Sequence, residues 1–277
     1  MLDRGENLSL ALDRNEPAAL DFTLLVERLY AALIAAANPG PGLGTNSEPE
    51  LGGKFLYAGE LDRQCRALLV AGNIAGAASL AVTADSAAQK QAIRDGVADF
   101  LVTSLDEALR ILKNEIRKRE TVAVCVALEP ETVEQEMLER GVAPDLLRPG
   151  AADSPIGLTL LSWRVASSPS IWLPKLDAIA LDCLEEYMGA PEPALSLPKG
   201  LDSETWDSAR RWLRLAPRYL GRMAQGVRVL RCGESAAANF IERMRKEVES
   251  GEIGMRVEFR LSCEGQSEQY SFAPPTC

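Results

Sequence analysis

No histidine occurs anywhere in the 277 residues, which removes the commonest general base and metal ligand and every Ser-His or Cys-His nucleophile pair. Catalysis would have to rest on carboxylates, lysine, tyrosine, cysteine or a bound cofactor. Six cysteines, at 65, 125, 183, 232, 263 and 277, are scattered without a C-x-x-C pair. The chain is far larger than disulfide-stapled minidomains, so buried thiols are the default reading. Cys65 is the most interesting, because it falls near the start of a predicted helix beside Arg63 and Arg66, a setting that lowers a thiol pKa. A buried or idle thiol is the plainer reading even there. The adjacent carboxylates Asp106-Glu107 and Glu185-Glu186 sit on predicted helices, where sequence neighbours diverge, so they read as solvated surface and not as an acid/base pair.

The elements that would position these groups alternate from Lys54 onward. Short apolar runs over 55–58, 78–82, 100–102, 122–128 and 145–147 read as strands. Helical stretches over 61–75, 86–95, 104–118 and 131–140 separate them, the third opening on the capping-box pattern Ser104 with Glu107 and the fourth closed by Gly141. Runs apolar on both faces, interleaved with helices, predict an α/β fold: a Rossmann-like parallel sheet flanked by helices. An N-terminal packing helix over 17–37 and a Pro/Gly-rich loop over 38–53 precede it. Beyond it, helices over 169–188 and 204–225, a strand over 227–230 and a helix over 235–249 are predicted. A proline-rich connection covers 190–199, and a terminal β-hairpin over 255–263 and 269–272 turns around Glu264-Gly265. The expected organisation is 1–50 as helix and loop, 51–240 as the Rossmann-like domain, and 241–277 as a helix end and hairpin.

Composition limits the partners. Forty acidic against 30 basic residues give a formal charge of −10, which repels phosphate backbones and anionic membrane surfaces, so neither nucleic acid nor membrane is an expected partner. Arg210, Arg211, Arg214, Arg218 and Arg222 cluster on one predicted helix and read as a solvated face. No signal peptide or membrane-spanning run is found, and a cytoplasmic location is expected.

The segment from Gly59 to Leu109 carries A-G, then A-G-A-A-S-L-A-V-T-A-D, then S-L-D-E-A-L. In order and spacing it resembles the Rossmann core of the urocanase (urocanate hydratase) family. That family's pattern there runs A-G-L-G-G-M-G-G, A-G-x-x-x-L-A-V-E-x-D, S-L-D-E-A-L. Glu139-Arg140-Gly141-Val142-Ala143-Pro144-Asp145 stands where the family has R-R-G-V-R-P-D, and 209–233 is similar, more loosely, to the block ending in the family's V-x-D-Y-G-N-N. The resemblance covers roughly residues 52–240 and has no counterpart of the catalytic segment F-Q-G-L-P-A-R-I-C-W. It implies a Rossmann fold, NAD as cofactor and a homodimer, with Trp163, Trp172, Trp206 or Trp212 either in the contact or plain core.

The departures fall where that chemistry lives. Glycines in a dinucleotide-binding turn let the backbone approach the pyrophosphate, which rests on the positive end of the next helix. Here the turn is Gly59-Glu60-Leu61-Asp62-Arg63-Gln64-Cys65-Arg66, with one glycine and two carboxylates, which Arg63 and Arg66 offset in part. The glutamate ending the family's second strand is Thr83, although Asp85 follows, able to accept from a ribose hydroxyl or to cap the next helix. Glu129-Pro130 replaces part of a G-N-A-A loop, Pro149 to Pro155 replaces Q-T-S-A-H-D-P, and Cys232-Gly233-Glu234-Ser235 replaces Y-G-N-N. The expected function is a urocanase-like binding or assembly module, with no catalytic residue and no cofactor assigned. The alternative is a nucleotide or other small molecule bound at the strand C-termini, where Gly59, Arg63, Asp85, Glu129 and Gly233 would line one crevice.

Overall fold

Short runs of valine, alanine and leucine suit strands covered on both faces. In the computed structural model, which describes residues 4–37, 51–149, 159–165, 167–189, 203–224, 226–263 and 266–275, five of them form one parallel sheet. The strands are β1 (Phe55–Glu60), β2 (Ala78–Val82), β3 (Phe100–Val102), β4 (Val122–Val126) and β5 (Leu146–Leu147). They lie side by side as β3-β4-β2-β1-β5, and every pairing is parallel. Each residue of β2 and of β4 is buried, because helices cover both faces.

On one face α4 (Leu105–Lys118) and α5 (Pro130–Glu139) close the core. Leu105, Leu109, Leu112, Val133 and Met137 pack there on Leu80, Val82, Val124 and Val126. α3 (Ser86–Arg94) links β2 to β3. Against the other face lies α2 (Arg63–Ala75), where a Cβ on Gly72 would stand 2.7 Å from Ser79 Oγ and 3.0 Å from Leu56 Cδ2. The missing side chain is what lets helix and sheet meet this closely. As expected, Ser104 caps α4, its Oγ accepting from Glu107 N–H at 3.3 Å.

α1 (Arg4–Ala37) begins well before the expected helix, and its part from Leu25 on belongs to the parallel unit together with α7 (Ser203–Leu220). Tyr30 Oη donates to Ser208 O at 3.0 Å and its ring lies 5.4 Å from Trp212. Arg211 Nε donates to Ile74 O at 2.8 Å, a cation at a helix C-terminus. Arg210 and Arg211 are half-buried, whereas Arg214 and Arg218 are exposed. The arginine-rich face read as solvated is therefore partly a packing face, because α7 lies on α2.

The remaining described residues, up to Leu24, over 159–189 and from Arg222 on, form a second unit around an antiparallel sheet. Its strands β6 (Thr159–Val165), β7 (Val227–Cys232), β8 (Val257–Cys263) and β9 (Gln266–Phe272) lie in the order β7-β6-β8-β9. Two helices, α6 (Pro169–Gly189) and α8 (Glu234–Glu249), pack on each other in the same unit. Trp163, Phe240, Phe259 and Phe272 form a chain of ring contacts at 5.1 to 5.8 Å. Arg228 Nε donates to Asp177 Oδ2 at 3.0 Å, both side chains nearly buried.

β6 was not anticipated, and the strand expected to continue the Rossmann pattern, β7, pairs antiparallel with it instead of joining the parallel sheet. The stretch 51–240 thus contributes to both sheets, and 241–277 supplies β8 and β9 of the second. The expected features at 38–50, 150–155, 190–199 and Glu264-Gly265 lie outside the described residues, as does the Trp206 side chain. Trp163 and Trp212 are core and Trp172 is half-buried. Among the described residues no helix is long and apolar enough to cross a membrane.

Candidate functional site

The turns that follow parallel strands collect at one edge of the sheet. Leu61 N–H donates to Val82 O at 2.9 Å and Thr83 N–H to Val126 O at 3.1 Å, so the turns after β1 and β2 continue the ladder and bring 59–66 and 83–86 together at that edge. Gly59 has φ +78° at a register shift in the β1–β2 pairing. A Cβ there would meet nothing within 4 Å. The left-handed backbone, and not close approach of a ligand, is what requires the glycine.

Asp62 dominates the next turn. It caps α2, its Oδ1 accepting from Cys65 N–H at 2.6 Å. Its Oδ2 accepts from Arg148 Nη2 at 2.7 Å, and Arg148 also donates to Gln64 Oε1 at 2.7 Å. Arg148 follows β5, which pairs with β1 on the side away from β2. The chain therefore leaves β1 toward one side and returns on the other, a topological switch point of the kind where open α/β sheets take their ligands. Burial pushes the Asp62 carboxyl up, but the Cys65 N–H, the Arg148 hydrogen bond and charge, and the Gln64 N–H outweigh it and hold the group below its ordinary range. Asp62→Ala should cost about 1 kcal/mol through loss of the cap, measured by urea unfolding. Because the folded pKa is depressed, the stabilisation is present above the unfolded pKa and is lost as pH falls through the folded one. The difference between wild type and variant should shrink in acid.

The other expected residues take structural roles. Arg63 opens α2 and is exposed, while Arg66 is paired with Asp95. Cys65 is fully buried and its Sγ–H points at Gly59 O, 3.7 Å away. Burial, followed by the Asp62 charge, pushes this thiol far above its ordinary value. The activating setting read from Arg63 and Arg66 does not operate, because the thiol faces the core. Cys125, Cys183 and Cys232 are likewise free and buried.

Asp85 caps α3, accepting from Ala87 N–H at 2.8 Å. Thr83 is buried, and its carbonyl accepts from Gln89 Nε2 at 2.7 Å. Glu129 stands at the N-cap of α5 without a side-chain cap bond and is exposed. Gly59, Arg63, Asp85 and Glu129 thus share the edge at the strand C-termini. Gly233 is elsewhere in the fold: it precedes α8 after β7 of the antiparallel sheet, with φ −71°, which any residue adopts. Sequence reasoning missed Arg148, 86 residues from its partner, for which no local pattern gave a signal. Among the described residues no group of three or more His, Cys, Asp or Glu could hold a metal ion.

The residues present do not fit a dinucleotide pyrophosphate. The α2 N-terminus that would receive it already holds a carboxylate, and Asp62, Asp85 and Glu129 line the sheet edge with negative charge. The fold itself has a known counterpart: over residues 45–151, which take in all five parallel strands, the chain matches the family model of the urocanase Rossmann-like domain.

Proposed function

We propose that this chain is a urocanase-like protein whose Rossmann-like scaffold acts as a binding or assembly module and not as a competent urocanate hydratase. The Asp62 carboxylate on the α2 N-terminus, bonded to Cys65 N–H and Arg148, carries the reading. It fills with a built-in anion the place that a cofactor phosphate would need, and a second negative charge there meets repulsion. NAD is accordingly not its cofactor, and a cytoplasmic homo-oligomer is the expected form. In a titration followed by thermal unfolding, NAD should leave the midpoint unchanged, whereas a ligand at 100 times its dissociation constant would stabilise the fold by about 2.7 kcal/mol. Urocanate with NAD should show no turnover. Turnover, or saturable NAD binding at cellular concentrations, would overturn the proposal.

The exposure of Arg63, Asp85 and Glu129 at one sheet edge favours a second reading, a nucleotide or other small molecule bound there. Binding of a phosphate-free nucleoside such as adenosine, whose ribose hydroxyls can donate to these carboxylates, weakened by both Asp85→Ala and Glu129→Ala in chains that remain folded, would select it.

A further inference from the structure

The antiparallel unit has a cleft of its own, of about 600 Å³. Register places its lining. Side chains two apart on a strand share a face, and the cross-strand partners run Val227, Arg164, Glu258, Ser271 in one row. The next row holds Ser162, Arg260 and Gln269 on β6, β8 and β9. All seven line the cleft together with Leu20 and Asp21 of α1, in the same unit, and it is also bordered by Trp163, Phe259 and Tyr270, which alternate with them along the strands. The opposite face of this sheet carries the Trp163–Phe259 core, so the polar rows are not needed for packing there.

The two guanidinium groups differ. Arg164 stands 3.7 Å from Glu258 and is two-thirds buried. Arg260 is exposed, and among the described residues it has no carboxylate partner. It lies opposite the Gln269 amide, which is able to donate, and beside Ser162, whose hydroxyl donates to the Arg260 carbonyl at 3.4 Å. A guanidinium fork matches a carboxylate with two parallel hydrogen bonds. Val227 lies two strands away from Arg260, on the order of 10 Å at the usual strand spacing, and with Leu20 it offers an apolar wall.

We propose that this cleft binds a small organic acid, its carboxylate held by Arg260 with Gln269 and its apolar body lying across β6 toward Val227 and Leu20. A monoanion fits better than a phosphate dianion, because Glu258 and Asp21 already bring negative charge to the lining. This site is separate from the strand-end crevice and does not depend on the function proposed above.

The probe is 3-phenylpropionate, titrated into the full chain by calorimetry beside its neutral counterpart 3-phenylpropanol and inorganic phosphate. Saturable binding of the acid is expected with a dissociation constant on the order of 1 mM or tighter, and weaker binding of both comparison compounds. Arg260→Gln should weaken the acid about tenfold through loss of a charged hydrogen bond. Gln269→Glu should weaken it as well by adding like charge. Both positions are exposed, so both variants should keep the fold, checked by circular dichroism. Absence of saturation by about 10 mM, equal binding of the alcohol or of phosphate, or affinity unchanged in both variants would overturn the proposal.

Discussion

Arg228→Leu is expected to destabilise the antiparallel unit by about 3 to 5 kcal/mol, because it strands a carboxylate that the fold has taken out of water. Asp177 and Arg228 are each only about an eighth exposed, and Asp177 Oδ1 has no hydrogen-bond partner among the described residues. The pair is already a compromise: burial raises the Asp177 pKa, and the Arg228 charge and hydrogen bond only partly oppose it. Removing the guanidinium removes the largest opposing influence. The pH dependence then has a definite sign. A carboxyl whose folded pKa lies above its unfolded value contributes stability that is fully present below the unfolded pKa and lost as pH rises through the folded one. The variant should therefore recover part of its deficit as pH falls through the carboxylate range; the Asp62→Ala difference also shrinks in acid, but there because the wild type loses stability, whereas here the variant gains it. Hydrogen exchange followed by mass spectrometry, read on peptides from α6 and β6, would measure it. A deficit under about 1 kcal/mol, the worth of an exposed ion pair, would mean that the pair is solvated and the argument wrong.

Gly72→Val should be comparably severe, at about 3 kcal/mol or more, since overpacking in a close-packed core forces side chains from their rotamers and shifts backbone. The new Cβ alone would come 2.7 Å from Ser79 Oγ and 3.0 Å from Leu56 Cδ2, and valine adds two further carbons in the same gap. Leu56 and Ser79 are fully buried, which leaves them little room to withdraw. The cause can be separated from glycine's backbone freedom with smaller changes. Ser79 Oγ has no hydrogen-bond partner among the described residues, so Ser79→Ala should cost little. Combined with Gly72→Ala it removes the nearer clash, and the double variant should be more stable than Gly72→Ala alone. A urea series on the four proteins measures this, and simple additivity would show that α2 can shift away from β2 without strain.

How far each feature could be read without coordinates follows from the range of the forces involved. The parallel core was legible because a strand buried on both faces must be an unbroken apolar run, as Val122–Val126 is, and because the helices between strands announce their starts and stops locally through Ser104, Asp85 and Gly141. The antiparallel sheet was not. β6 carries Ser162 and Arg164 on one face and Leu161 and Trp163 on the other, and its place is fixed by partners some 60 and 100 residues further along the chain. Without β6, β7 looked like another Rossmann strand, and Gly233 was placed in the crevice with it.

The same holds at the site. The carboxylate of Asp62 was visible in the turn, but its engagement by Arg148 is a tertiary event. Cys65 was judged by its sequence neighbours, whereas its chemistry is set by burial and by the carboxylates that already hold the nearby cations.

The two units are interleaved along the chain: α1 contributes residues to both, and α7, which lies on α2, is separated from the rest of its unit by β6 and α6. No single cut can release either one whole. During synthesis, when domains ordinarily fold in the order they emerge, the parallel sheet would leave the ribosome with the outer side of α2 uncovered, and it could be sealed only after β6 and α6 had also appeared. Until then the nascent chain presents apolar surface, and its maturation should be sensitive to elongation rate and to chaperones that shield such surface.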